Sequence, residues 1–212
     1  MIQLFLKGGP IMWPILVASI VALTVVIERL VFIISERVRR QPQVVGEILA
    51  RVEKGDVKGA VTIGETSRDF IARVLTYGLA HRDKSVSEAL LRAANWELKR
   101  FNRGLPILDT IITLAPLLGL LGTVTGMIHS FGLLGASELG APAAITGGIA
   151  EALIATAFGL GVAITALIPF NYLNSRLEEA RLEIQDAASH IELNLSQRAG
   201  ACAFQTLETA GT

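Results

Sequence analysis

The chain has 212 residues, 51% of them hydrophobic and 18% charged, and a mean hydropathy of +0.53, which argues against a water-soluble domain of ordinary composition. Nineteen Lys and Arg offset nineteen Asp and Glu, which excludes a globally basic nucleic-acid binder and an acidic solvating tail. The single cysteine, Cys202, can form neither an intrachain disulfide nor a multi-thiolate metal site.

From Gly8 to Ile27 no residue is charged, and about 20 apolar residues suffice to cross the ~30 Å hydrocarbon core. After a short N-terminal segment (1–10), this predicts a first transmembrane helix over 11–35. Only Lys7 precedes the apolar run, whereas Arg29, Arg37, Arg39 and Arg40 follow it, so it reads as an uncleaved anchor rather than a signal peptide. The segment 36–105 reads as helices: a run from Gln43 to Lys54, one from Lys58 to Leu79, and an amphipathic stretch from Val86 to Leu105.

Thr110 to Ser137 holds no Asp, Glu, Lys or Arg, and Leu139 to Ser175 holds only Glu151. Two further spans follow, 106–134 and 144–173, joined by a Gly-, Ala- and Pro-rich turn at 135–143 and therefore antiparallel. Leu177, Ile184, Ala188, Ile191 and Leu195 continue at helical spacing and predict an extension over 174–198, with a disordered tail over 199–212. The fold class is an all-α integral membrane protein of three transmembrane helices, the second and third extended into a cytoplasmic helical bundle. Fifteen of the nineteen Lys and Arg fall between Arg29 and Arg103. By the positive-inside rule the N-terminus and the 135–143 turn face outward, and 36–105 and the tail face the cytoplasm.

The second span places Gly119, Gly122 and Gly126 three and four residues apart, a face that lets another backbone approach; Gly148 and Gly159 belong to a similar small-residue face on the third. Positions seven apart set Asp109, Pro116, Thr123 and Ser130 on nearly one side of the second helix. The Thr123 hydroxyl either bonds back to the preceding turn or faces a wet lumen. An ionisable group in a span costs ~2.5–3.5 kcal/mol at the centre and usually marks an ion path. Glu151 is therefore the most informative residue, with a structural bond to a helix end or a neighbouring subunit as the competing reading. Thr156 lies five residues on, roughly 140° around the helix, nearer the small-residue face of Ala152, Gly159 and Ala163. Asp109 is either an exit-side group or a partner for Arg103 or Arg100. No nucleophile elbow, zinc-protease motif or P-loop is present, and His81, His129 and His190 lie in three separate segments, so neither an enzyme nor a metal site is expected.

LAPLLGLLGTVTGM followed by GGIAEALIATAFGLGVAI resembles the paired pore-helix signature of the ExbB/TolQ/MotA proton-channel family, and most of all its ExbB and TolQ members. The MotA branch, with four spans and a larger cytoplasmic domain, fits less well. The resemblance implies a ring-forming homo-oligomer of five subunits in the bacterial inner membrane, its second and third helices lining a channel. It also implies two copies of an ExbD- or TolR-like single-span partner inside the ring, contributing an essential aspartate. Proton flow would drive that partner and reach the outer membrane through a TonB- or TolA-like transducer, with no cofactor and no nucleic acid involved. Thr123 matches the family's GTV-x-G threonine, and Glu151 and Thr156 match its E-A-L-x-A-T segment, which makes these the implied pore-lining positions, with Asp109 and Ser130 as further pore or exit-side positions. Thr125 stands where ExbB and TolQ members often carry a bulky residue. A non-conducting membrane scaffold, packed through the same glycine faces, is the alternative.

Overall fold

The computed structural model of the protein describes residues 5, 7–81, 85–134 and 142–210, with side chains described up to 132 and again from 146 to 197. All regular structure among them is helical: α1 (Met12–Val38), α2 (Pro42–Lys54), α3 (Val57–Thr66), α4 (Phe70–Ala80), α5 (Val86–Asn102), α6 (Leu105–Leu134) and α7 (Pro142–Ala210). Three of these helices are long and apolar enough to cross a membrane: Met12–Val38, Leu105–Gly132 and Thr146–Gln197. The chain divides into two compact units, one of Met1–Leu30 with Gly104–Asn174 and the other of Val31–Arg103 with Ser175–Thr212.

In the first unit α1 follows a left-handed Gly9 (φ 72°), and its interior hydroxyl at Thr24 is satisfied by the Ile20 carbonyl at 2.8 Å. Met12, Ile15, Ala18 and Ala22 form its buried stripe, while Trp13, Val17, Ile20, Leu23 and Ile27 remain exposed. An exposed aliphatic face on an apolar helix is what lipid or another hydrophobic surface covers. Arg29, buried at the end of this unit, pairs with its neighbour Glu28, and its aliphatic stem runs beside Gly104.

Gly104 corrects one expectation. The second span does not run back into the amphipathic helix: α5 stops at Asn102 and α6 starts at Leu105, because Gly104 takes φ 84° between them. Only glycine adopts that conformation at little cost. A Cβ there would also come within 2.9 Å of Val25 Cγ1. The third span, by contrast, continues without a break, α7 running on to Ala210 past the boundary at 199 where a disordered tail was expected. Residues 135–141 of the expected turn lie outside the described residues.

In the second unit Ile48, Val52, Ala60, Val74, Leu75, Leu79 and Leu90 are among the buried residues of α2 to α5, and Ala180, Ile184, Ala187 and Ile191 among those of α7. Phe101 stacks edge-on against both Phe32 and Phe70, at centroid distances of 5.3 and 5.2 Å. The single helix expected from Lys58 to Leu79 is two helices. Ser67 is extended (ψ 144°) and ends α3, and Asp69 caps α4 by accepting from Ile71 N at 2.9 Å. Asp69 is 1% exposed and also accepts from Gln41 N at 2.7 Å and from Arg40 Nη1 at 3.1 Å. Arg40 in turn reaches Glu183 at 2.5 Å and lies over the Phe70 ring. One buried carboxylate thus fixes the α3–α4 corner, the residue entering α2 and, through Arg40, α7. Arg51, near the end of α2, is hydrogen-bonded by Glu47 and Asp56, and these bonds, with Glu47's the largest influence, raise its pKa further above its ordinary value.

Candidate functional site: the α6–α7 crossing

Within the first unit α6 and α7 run antiparallel and touch through small residues along their shared length. A Cβ placed on Gly159 would lie 2.5 Å from the Ala115 carbonyl oxygen and 3.1 Å from Gly119 Cα. One on Gly119 would lie 3.0 Å from Thr156 Cα, one on Gly122 2.6 Å from Ala155 Cβ, and one on Gly126 3.1 Å from both Ala152 Cβ and the Gly148 carbonyl oxygen. At Gly148 the added carbon would collide with Ser130 Oγ. The two backbones are in near contact at Gly119, Gly126, Gly148 and Gly159, with Gly122 against the Ala155 side chain, and dispersion and weak backbone contacts supply the attraction where no water is left to be expelled.

Thr156 sits in this crossing. Its hydroxyl donates to the Gly119 carbonyl across the interface at 3.0 Å and to Ala152 O of its own helix at 3.3 Å. In an α-helix the carbonyl of residue 119 is also the acceptor for the amide of residue 123. The Thr156 hydroxyl therefore abuts the turn of α6 that carries Thr123. Thr123 is half-buried, and its own hydroxyl bonds back to Leu120 O at 2.6 Å, which leaves the oxygen's lone pairs available to a further donor. The two threonines are thus brought together through one carbonyl.

Glu151 is elsewhere. Its carboxylate lies against the backbone of Gly9, where a Cβ would overlap it, so Glu151 faces the entry to α1 while Thr156 faces α6. Asp109 is exposed, and its backbone carbonyl accepts from Thr113 Oγ1 at 2.7 Å. Arg100, considered above as a partner for it, is instead engaged by Glu97 and Glu36.

The stripe drawn at seven-residue spacing does not hold to its end. Ser130 is 2% exposed, bonds to Gly126 O at 2.8 Å and packs on Gly148. A straight α-helix drifts by about 20° per heptad, so three heptads turn position 130 by about 60° from position 109 and into the helix crossing. Ser130 is therefore a packing residue within the subunit, as is Gly126 one turn before it.

Residues that sequence reasoning passed over also contribute. Ala115 is fully buried where Gly159 makes its closest approach. A groove of about 530 Å3 separates α1 from α7, floored by Ala22, Ala157, Gly161 and Ala166. Among the described residues no three His, Cys, Asp or Glu side chains gather as a metal-ligand set. His81 stacks on Tyr77, and His190 lies 3.4 Å from Glu53.

Fold and crossing together define a helical membrane protein whose second and third apolar helices pair through glycine around two threonines. The profile of the MotA/TolQ/ExbB proton channel family matches residues 66–186, which include that crossing, and the chain belongs to this family. It is 43% identical over 197 residues to a Synechocystis sp. protein described as ExbB-like 1, spanning 89% of this chain and 76% of that one. It is 40% identical over 95 residues to the Tol-Pal system protein TolQ of Pseudomonas aeruginosa, covering 45% and 41% of the two chains. With the biopolymer transport protein ExbB of Neisseria gonorrhoeae it shares 46% over 77 residues, 36% and 35% of the respective lengths.

Proposed function

We propose that the chain is the channel-forming stator subunit of an inner-membrane motor that uses the proton motive force to energise an outer-membrane process, of the TonB-dependent uptake or Tol-Pal kind. In this reading several copies, five by family resemblance, form a ring. An ExbD- or TolR-like single-span partner occupies the lumen as a dimer, and a TonB- or TolA-like protein carries the work outward. The N-terminus faces the periplasm and the C-terminus the cytoplasm. Thr123 and Thr156 line the proton path, Glu151 stands nearer its outer mouth and Asp109 at its inner end.

The observation that supports this most is the coupling of Thr156 to the turn of Thr123 through the Gly119 carbonyl. Hydroxyls both donate and accept, so a pair on adjacent turns can pass hydrogen bonds to a carboxylate presented from the lumen. Between Thr110 and Ser137 the second span holds no carboxylate, and between Leu139 and Ser175 the third holds only Glu151, so the pore helices carry no continuous relay and the partner is expected to bring its own carboxylate. Each charge crossing a 100 mV potential releases ~2.3 kcal/mol, so several protons are needed for substantial work.

The same contact favours the non-conducting scaffold as a second reading, because Thr156 also ties α6 to α7. Thr156→Val separates the two, since it keeps the branched volume and removes the hydroxyl. In cells carrying the chain with its single-span partner, proton-driven function is expected to fall about ten-fold or more, the worth of one lost charge-assisted hydrogen bond, with the complex recovered at wild-type yield. Thr156→Ser is expected to retain function. Full function in Thr156→Val would move the assignment to the scaffold.

A further inference from the structure

The second unit holds a cavity of about 400 Å3 that the channel reading does not use. Ile33, Phe70, Phe101 and Ala180 give it an apolar wall, and three carboxylates, Glu36, Glu179 and Glu183, alternate with Arg37, Arg40 and Arg176; Arg176 pairs with Glu179 at 2.5 Å and Arg40 with Glu183 at 2.5 Å. The Glu36 side chain is 4% exposed; its Oε1 accepts from Arg100 Nη2 at 3.1 Å, and its Oε2 is buried with no hydrogen-bond partner. A buried carboxylate oxygen is costly to leave unmade, so a donor from outside the described chain is called for.

The lining restricts what that donor is. A calcium or magnesium ion wants six or more oxygen ligands, and the three carboxylates of this wall are each already paired with a guanidinium, Glu36 with Arg100, Glu179 with Arg176 and Glu183 with Arg40. An ammonium group needs only acceptors. The arginines match the other half of a zwitterion: a guanidinium pairs with phosphate through two parallel N–H bonds, and among the described residues Arg37 makes no ion pair. Along α1 the cavity lies at the end of the apolar run Val31–Ile34, and along α7 it begins at Arg176, the first charged residue after the uncharged run 152–175. Basic side chains just past an apolar span meet lipid headgroups.

We propose that this cavity is a headgroup site for a phospholipid of the ethanolamine type, its ammonium donating to Glu36 Oε2 and its phosphate held by Arg37 and Arg176. A choline headgroup has no N–H to give and is predicted to bind poorly.

The test is native mass spectrometry of the full-length chain, delipidated and then offered phosphatidylethanolamine, phosphatidylcholine or phosphatidylglycerol with matched acyl chains. Retention of the ethanolamine lipid about ten-fold above the choline lipid is expected, and Glu36→Gln should bring the two close to parity. Arg37→Gln, on an exposed side chain, should lower retention of both while leaving the fold intact. Equal retention of the ethanolamine and choline lipids by the wild type would overturn the proposal without reference to any variant, as would a preference for the glycerol lipid. Binding of soluble O-phosphoethanolamine with no retention of the lipid would overturn the lipid assignment.

Discussion

Gly159→Leu is expected to keep α6 and α7 from closing, so that little monodisperse protein survives extraction from the membrane. Even a methyl group at this position would sit 2.5 Å from the Ala115 carbonyl oxygen and 3.1 Å from Gly119 Cα, and both are backbone atoms that cannot rotate away. Overpacking in a core that can adjust costs about 1–3 kcal/mol, and the cost rises where the obstructing atoms belong to a helix axis. Separating the axes would also break the Thr156 to Gly119 hydrogen bond and open the contacts at Gly122 and Gly126. Gly159→Ala should lower the melting temperature in the same direction by a smaller amount. Gly161→Ala is the control, because nothing lies within 4 Å of a Cβ there. Equal losses at 159 and 161 would show that close approach is not what the glycine serves.

Asp69→Ala is expected to destabilise the second unit by about 3–5 kcal/mol, the usual result of removing one partner of a buried ion pair. Three interactions go at once: the cap on Ile71 N, the bond from Gln41 N, and the pairing with Arg40, which then has Glu183 as its acidic partner on a half-exposed side chain. Asp69→Asn keeps one amide oxygen for the cap and should recover about 1 kcal/mol or more of that loss. Thermal unfolding of wild type and both variants, followed by far-ultraviolet circular dichroism, measures the order. An alanine variant as stable as wild type would contradict the role assigned to this carboxylate.

Apolar run length alone made the three spans legible, and glycine spacing made the crossing face legible, because both follow from local composition. The break at 67–69 lies at the polar Thr66-Ser67-Arg68-Asp69 cluster, inside a run whose apolar periodicity reads as one helix. Gly104 falls inside the amphipathic stretch from Val86 to Leu105, and neither its positive φ nor the Val25 and Arg29 side chains beside it can be read from local spacing. The Arg40 to Glu183 pair spans 143 positions and the Glu36 to Arg100 pair 64, and no periodicity reports partners that distant. At the candidate site the residue types were readable, but their grouping was not. Heptad drift carried Ser130 into the crossing, and Glu151 turned toward Gly9 instead of joining the two threonines.

On the proposed function this chain supplies a channel wall that conducts only when a partner supplies the carboxylate. Proton flux into liposomes under an imposed membrane potential, measured with the chain alone and with its single-span partner, is the measurement that bears on this. Flux no higher than that of empty liposomes is expected for the chain alone, measurable flux with the partner, and loss of that flux when Thr156→Val replaces the wild type in an intact complex. Flux from the chain alone equal to that of the complex would contradict the proposed function.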